Sequence, residues 1–281
     1  MLKCIDGIYY NMKYLFLAIP NFCGSTLMYE VLKTCTGVKI LTNRFYVNKE
    51  FVEGNQITLP SMYNLNIPMD LAIKYRSIEA NLESYYTNPN NYDWGYIKTY
   101  WDKCWNVHNS KLPVKLQKTP NDVFRVPMMN AAFGSINWIL MVRDPYAYAA
   151  NLLANNKFDN FVNVNPLSRL SDICYHITRV MEVQRDNRIF LGDNSFVISY
   201  EDFCKEPDSV TLNLTEWMPE LSTIDVRRSL SIKSKPLSPI IDDNESKISS
   251  MILKYPNIIE NLNTFFKPKE DIIKYWNYSL R

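Results

Sequence analysis

The chain has 281 residues, 47% of them hydrophobic and 21% charged, with a formal net charge of +2. That supplies enough apolar chain for a large core in one domain, and the near-neutral balance excludes a polyelectrolyte surface for nucleic acid or an anionic membrane, so any basic site must be local. Six scattered cysteines (Cys4, Cys23, Cys35, Cys104, Cys174, Cys204) form no C-x-x-C and come with no histidine pair, which argues against a metal site and reads as free, mostly buried thiols in a reducing compartment.

The opening residues contain no long apolar segment and no run approaches membrane-spanning length, so the chain reads as soluble and cytoplasmic. Residues 14–19 are an apolar run of strand formers that breaks at Pro20, turns through Gly24 and continues with helical spacing, Leu27, Val31 and Leu32 sharing a face. A strand, a glycine turn and a helix opening on Ser25-Thr26 gather free backbone N–H groups, two hydroxyls and the positive end of a helix dipole at one point. That is a ready anion site. It is not the nucleotide loop G-x-x-x-x-G-K-[ST]: the first glycine is absent and Ser25 stands in the lysine position.

Val38–Leu41 reads as a short strand, residues 42–67 as a long irregular stretch, and Pro68–Tyr86 as a helix. Asp93–Val107 forms another helix, whose tryptophan and tyrosine stripe fits core packing. Val114–Gln117 is a strand closing on Lys118-Thr119-Pro120, after which Asn121 caps a helix through Val123, Val126, Met129 and Ala132. Ile136–Val142 is apolar throughout, hence a strand buried on both faces. It runs into Arg143-Asp144-Pro145, with Asp144 as cap of a helix over 146–155. Ser168–Asp186 is an amphipathic helix and Phe196–Ser199 a strand ending in Tyr200-Glu201-Asp202. The remainder is helical around a polar loop at 231–241 that carries Lys233 and Lys235.

Strands alternating with helices predict a parallel sheet covered on both faces. Ligands of such folds bind beyond the carboxyl ends of the strands. Three strands here end in polar clusters, at residues 20–26, 117–120 and 143–144, and a fourth ends at Tyr200. These clusters are expected to converge.

In this order and spacing, the loop of residues 18–32, the Lys118-Thr119-Pro120 segment, the Arg143-Asp144-Pro145 strand–helix junction and Tyr200-Glu201-Asp202 resemble the sulfotransferases that use 3'-phosphoadenosine-5'-phosphosulfate (PAPS). The resemblance covers about residues 14–205. It implies an α/β fold, a P-loop-NTPase-like three-layer sandwich with a central, mainly parallel sheet flanked by helices. It also implies a single domain over 1–281, with a donor-binding core at about 14–41 and 114–205, an acceptor-side cap at 42–113 and a helical C-terminal region at 206–281. The implied activity is sulfonate transfer from PAPS to a hydroxyl or amine of an unidentified acceptor, a carbohydrate or small molecule, with no metal and no nucleic-acid partner.

By the same resemblance Asn21, Phe22, Cys23, Gly24, Ser25, Thr26 and Leu27 surround the 5'-phosphosulfate. Arg143 takes the 3'-phosphate, with Asn151 standing where the family has a serine. Tyr200 lies near the adenine, and Lys233 and Lys235 close over the 3'-phosphate. Lys118 neutralises charge on the sulfonate and the leaving oxygen. The base that takes the acceptor's proton is Glu53, with His108 as the fallback, whereas His176 reads as a packed or solvent-facing histidine. One departure stands out: the family usually has Lys or Arg within the first loop, and this chain has Asn21 or Phe22 there, depending on the alignment. Two rival readings remain. The missing Gly-Lys-Ser/Thr counts against a P-loop kinase, and the missing loop cation suggests a non-catalytic nucleotide- or glycan-binding protein.

Overall fold

In β3 (Lys13–Ala18) every second side chain faces the same side of the sheet, and both sides are covered. Leu15 and Leu17 enter one core and Phe16 and Ala18 another, so the strand is apolar without alternation. The computed structural model describes residues 3–5, 8–10, 12–41, 53–58, 65–75, 77–105, 113–154, 166–226 and 243–281. Within them, β3 is the middle of a five-stranded parallel sheet with β4 (Val38–Ile40), β5 (Val114–Lys118), β6 (Ile136–Val142) and β7 (Ser195–Ser199), in the order β4-β5-β3-β6-β7. An antiparallel hairpin, β1 (Lys3–Ile5) with β2 (Ile8–Tyr10), precedes the sheet and was not expected from the sequence.

Helices cover both faces, giving the three expected layers. One face packs on α1 (Ser25–Lys33), α7 (Pro145–Ala154) and α8 (Leu170–Leu191) and on C-terminal helices that include α11 (Asn244–Lys254). The other face packs on α5 (Trp94–Trp105) and α6 (Val126–Phe133). The tryptophan stripe is core: Trp101 and Trp105 are fully buried against Phe16 of β3. Cys23, Cys35, Cys104, Cys174 and Cys204 are buried and unbridged. No helix among the described residues is long and apolar enough to cross a membrane.

Two expected helices are broken, each for a reason that helps build the site. The segment Pro68–Tyr86 splits into α3 (Met69–Lys74), a 3-10 turn at Glu79–Leu82 and α4 (Glu83–Tyr86). Ile78 is fully buried, and the N–H of Ala80 donates to His176 Nδ1 (3.1 Å) instead of to a carbonyl one turn back. The helix expected through Val123–Ala132 is a 3-10 turn at Pro120–Phe124 followed by α6, with the break at Arg125. Pro127 in the first turn of α6 has no N–H to continue a preceding helix. Thr119, not Asn121, flanks the 3-10 turn.

Candidate active site

At the carboxyl end of β3 the chain turns through Asn21–Gly24 into α1. Gly24 takes φ +90°, and a Cβ there would lie 2.8 Å from Tyr200 Cδ2, so both conformation and space call for glycine. Phe22 also has positive φ, at 63°. The first hydrogen bond of α1 runs from Met28 N–H to the Gly24 carbonyl (3.0 Å). Ahead of it, the N–H groups of Gly24, Ser25, Thr26 and Leu27 donate to no backbone carbonyl among the described residues. No side chain caps this helix start. Four open donors and the helix dipole therefore face one point, an arrangement that accepts an anion.

Lys118 ends β5 beside this loop, paired in register with Leu17 of β3. Its Nζ lies 2.6 Å from Glu53 Oε1, the lysine side chain 3% exposed and the glutamate 19%. Burial pulls the Lys118 pKa below the ordinary lysine value, and Glu53 works in the opposite direction. Glu53 is held over the strand end by the following residues, Gly54–Thr58. The Asn55 N–H donates to Thr119 Oγ1 (3.4 Å), and Asn55 Oδ1 accepts from Arg125 Nη2 (3.1 Å). Arg125 in turn pairs with buried Asp122, and the Trp101 indole N–H donates to Thr58 Oγ1 (3.0 Å).

A second carboxyl group reaches the loop from the 3-10 turn. The Asn21 carboxamide Nδ2 donates to Oε1 of Glu79, which is 5% exposed. Burial raises the Glu79 pKa to about 8, with the Glu53 charge adding to the rise and its own N–H and Asn21 opposing it. His176 stands behind Glu79, and burial lowers its pKa to about 3, so the ring is neutral. Because Nδ1 accepts from Ala80, Nε2 carries the proton and donates to Tyr148 Oη at 2.8 Å. Tyr148 neighbours Cys23 of the loop, and burial raises both groups' pKa values. The loop is thus held from the side through Asn21.

Arg143 leaves the end of β6 and turns back under the loop, 4% exposed. Its Nη1 donates to the Phe22 carbonyl (2.9 Å) and its Cζ lies over the Tyr200 ring, 3.8 Å from the centroid. The remaining donors meet the start of α11: Nε to Asn244 Oδ1 (2.9 Å) and Nη2 to Asp243 Oδ1 and Asn244 Oδ1 (2.6 Å each). Asp144 caps α7 as expected, accepting from the N–H groups of Tyr146 (2.8 Å) and Ala147 (2.9 Å). Asn151, two turns into α7, donates to its own helix at Ala147 and lines a cavity of about 320 Å³ with Lys247, Ser250, Lys254 and Tyr255.

The strand-end clusters do converge. Residues 21–27, Lys118, Glu53, Arg143 and Tyr200 ring the carboxyl edge of the sheet, while His108, Lys233 and Lys235 lie outside the described residues. His176 is packed, as read. Sequence reasoning missed Glu79, Tyr148, Asp243, Asn244 and Lys247. A glutamate in an expected helix and residues after a polar loop carry no local pattern that marks them. Among the described residues no group of His, Cys, Asp and Glu is arranged to hold a metal ion.

A family model described as the sulfotransferase family matches residues 23–221. No curated protein matches the sequence. Among solved structures, the chain is similar to the sulfotransferase domain of the curacin biosynthetic pathway, at 16% identity over 96% of this chain and 99% of that one, with a TM-score of 0.53. It is also similar to a sulfotransferase from Alicyclobacillus acidocaldarius (13% identity, 94% and 95% covered, TM-score 0.54). A third is the sulfotransferase STF9 from Mycobacterium avium (14%, 96% and 78%, TM-score 0.50). At these identities the likeness is one of fold.

Proposed function

The chain belongs to the sulfotransferase family, and from that premise we propose that it moves a sulfonate group from PAPS to a hydroxyl or amine of an acceptor. The observation that carries this reading is the Lys118–Glu53 pair, 2.6 Å apart, set beside the uncapped start of α1. An anionic group bound by the open N–H groups of residues 24–27 would have a buried cation within the same cluster, and a carboxylate next to that cation.

The roles follow from the chemistry of each group. The backbone donors and the hydroxyls of Ser25 and Thr26 hold the 5'-phosphosulfate. Lys118 balances negative charge that builds on the leaving phosphate oxygen as the S–O bond breaks. Glu53 accepts the acceptor's proton. The acceptor oxygen or nitrogen attacks in line and the sulfonate changes partners without a covalent enzyme intermediate. The second anion, the 3'-phosphate, suits Arg143 with Asn151, and Lys247 and Lys254 on the facing helix add positive charge around Asn151.

Calorimetry with adenosine 3',5'-bisphosphate tests the donor, and radiolabelled sulfonate transfer to a panel of sugars, phenols, alcohols and amines tests the reaction. Bisphosphate binding that is lost in Arg143→Ala supports the proposal; preference for Mg·ATP would overturn it. The Asn21–Glu79 contact favours a second reading, a donor-binding protein that does not transfer, because it occupies the loop position where the family usually has a cation. Bisphosphate binding without transfer to any acceptor would select it.

A further inference from the structure

Glu79 is a buried carboxyl group joined to the donor loop, and the roles above leave it unused. Its surroundings come from five elements. The donor loop presents Asn21 and Cys23, the residue ahead of Gly54 presents Glu53, α4 presents Tyr86, α7 presents Tyr148 and α8 presents His176. The thiol, both phenols and the imidazole are all neutral near pH 7, which leaves Glu53 as the charged neighbour, of the same sign. Among the described residues no lysine or arginine lies within ion-pair distance of Glu79, and the nearest ring nitrogen, His176 Nε2, is 3.9 Å away.

A carboxylate in such a place is held by little more than the Asn21 N–H and its own backbone N–H. It lies one side chain from the loop whose open donors face an anion. Bringing a phosphosulfate or phosphate to that loop places a further negative charge near Glu79, at low effective dielectric, and raises the cost of ionising it. The loop also lacks a cation at Asn21 or Phe22. Removing the neighbouring negative charge offsets part of that loss.

We propose that Glu79 is the positioning residue of the donor loop, holding Asn21 through its carboxyl group, and that the loop takes up the donor's anion together with one proton on Glu79. The proton comes from solvent, and the neutral carboxyl group still offers its carbonyl oxygen to the Asn21 N–H. The second N–H of the same carboxamide is thereby fixed in direction. The inference rests on the donor reading given above.

The test is the affinity for adenosine 3',5'-bisphosphate measured by calorimetry from about pH 7 to about pH 9.5, a range in which the ligand's phosphates stay ionised, in two buffers of different ionisation enthalpy. In the wild type, affinity falls above about pH 8 with a slope approaching tenfold per pH unit, and about one proton is taken up per ligand bound near pH 9. Glu79→Gln keeps an acceptor oxygen for Asn21 and cannot titrate, so both the slope and the proton uptake disappear. Asn21→Ala weakens binding several-fold across the whole range. A Glu79→Gln protein that retains the wild-type slope and proton uptake overturns the proposal. Wild-type binding with no slope overturns it while leaving the donor reading in place; no binding at about pH 7 overturns both.

Discussion

Replacing Lys118 by Met separates what this residue does for folding from what it does for transfer. The side chain is almost fully buried and its ammonium lies 2.6 Å from Glu53, which keeps 19% of its side-chain exposure. Deleting one partner of a fully buried pair costs about 3–5 kcal/mol, because the other charge is stranded. Glu53 retains contact with solvent, so the expected loss for Lys118→Met is smaller, about 1–3 kcal/mol by urea denaturation. Lys118→Met with Glu53→Gln removes both charges and should recover most of that stability. Transfer behaves differently. Losing a cation at the leaving oxygen is comparable to losing one oxyanion-hole donor, about 3–4 kcal/mol of barrier, or roughly a hundred- to a thousandfold in kcat. The double variant should stay inactive although it is stable, since both the cation and the proposed base are gone. Radiolabelled transfer beside denaturation curves decides the matter. A Lys118→Met protein with wild-type stability would show that the pair contributes nothing, and one that transfers at the wild-type rate would refute the role assigned to the ammonium.

Three further outcomes are expected. Gly24→Ala must hold a left-handed backbone and push a methyl to within 2.8 Å of the Tyr200 ring, so it should lower stability by about 1–3 kcal/mol and weaken bisphosphate binding; a thermal melt indistinguishable from the wild type would contradict this. Asp243→Asn takes away the carboxylate that occupies Arg143 Nη2, so a phosphate no longer competes with it and bisphosphate binding should tighten several-fold, about 1 kcal/mol; weaker binding would show that Asp243 positions Arg143 instead. Stability should follow pH through two buried groups of opposite slope. His176 is depressed to about 3 in the fold, so its contribution is whole above its ordinary pKa near 6.5 and is lost as pH falls from there toward 3, at up to about 1.4 kcal/mol per pH unit. Glu79 is raised to about 8 from 4.5, so its effect runs the other way: stability is lost as pH rises from 4.5 through 8. The two slopes oppose each other between about pH 4.5 and 6.5, where stability should be nearly flat, and Glu79→Gln should abolish the decline between about pH 6.5 and 8. Denaturation curves across this range check it.

Much of the fold is legible because its strands are buried on both faces. The continuous apolar runs at residues 14–19 and 136–142 leave no other assignment, and the polar clusters that follow them must then lie at one edge of a parallel sheet. Local chemistry also identifies the glycine at the loop and the aspartate that caps α7, whereas the lysine and arginine at two strand ends stand out only through the resemblance that joins the strand-end clusters. Glu79 is different. Its segment has helical spacing, and the helix breaks there because Ile78 is drawn into the core and His176, nearly a hundred positions later, takes the Ala80 N–H. The partners of Arg143 are likewise about a hundred residues away in sequence, at Asp243 and Asn244.

The sequence by itself therefore determined the layered α/β architecture, the glycine turn at Gly24 and the edge on which Lys118 and Arg143 stand. Periodicity, turn geometry and capping act over a few residues and are written where they act. Only the tertiary structure decided that Asn21 meets a buried carboxyl group, that Lys118 faces Glu53, and that Arg143 is already engaged by α11. Those contacts arise from burial and from hydrogen bonds between segments whose closeness no local pattern encodes.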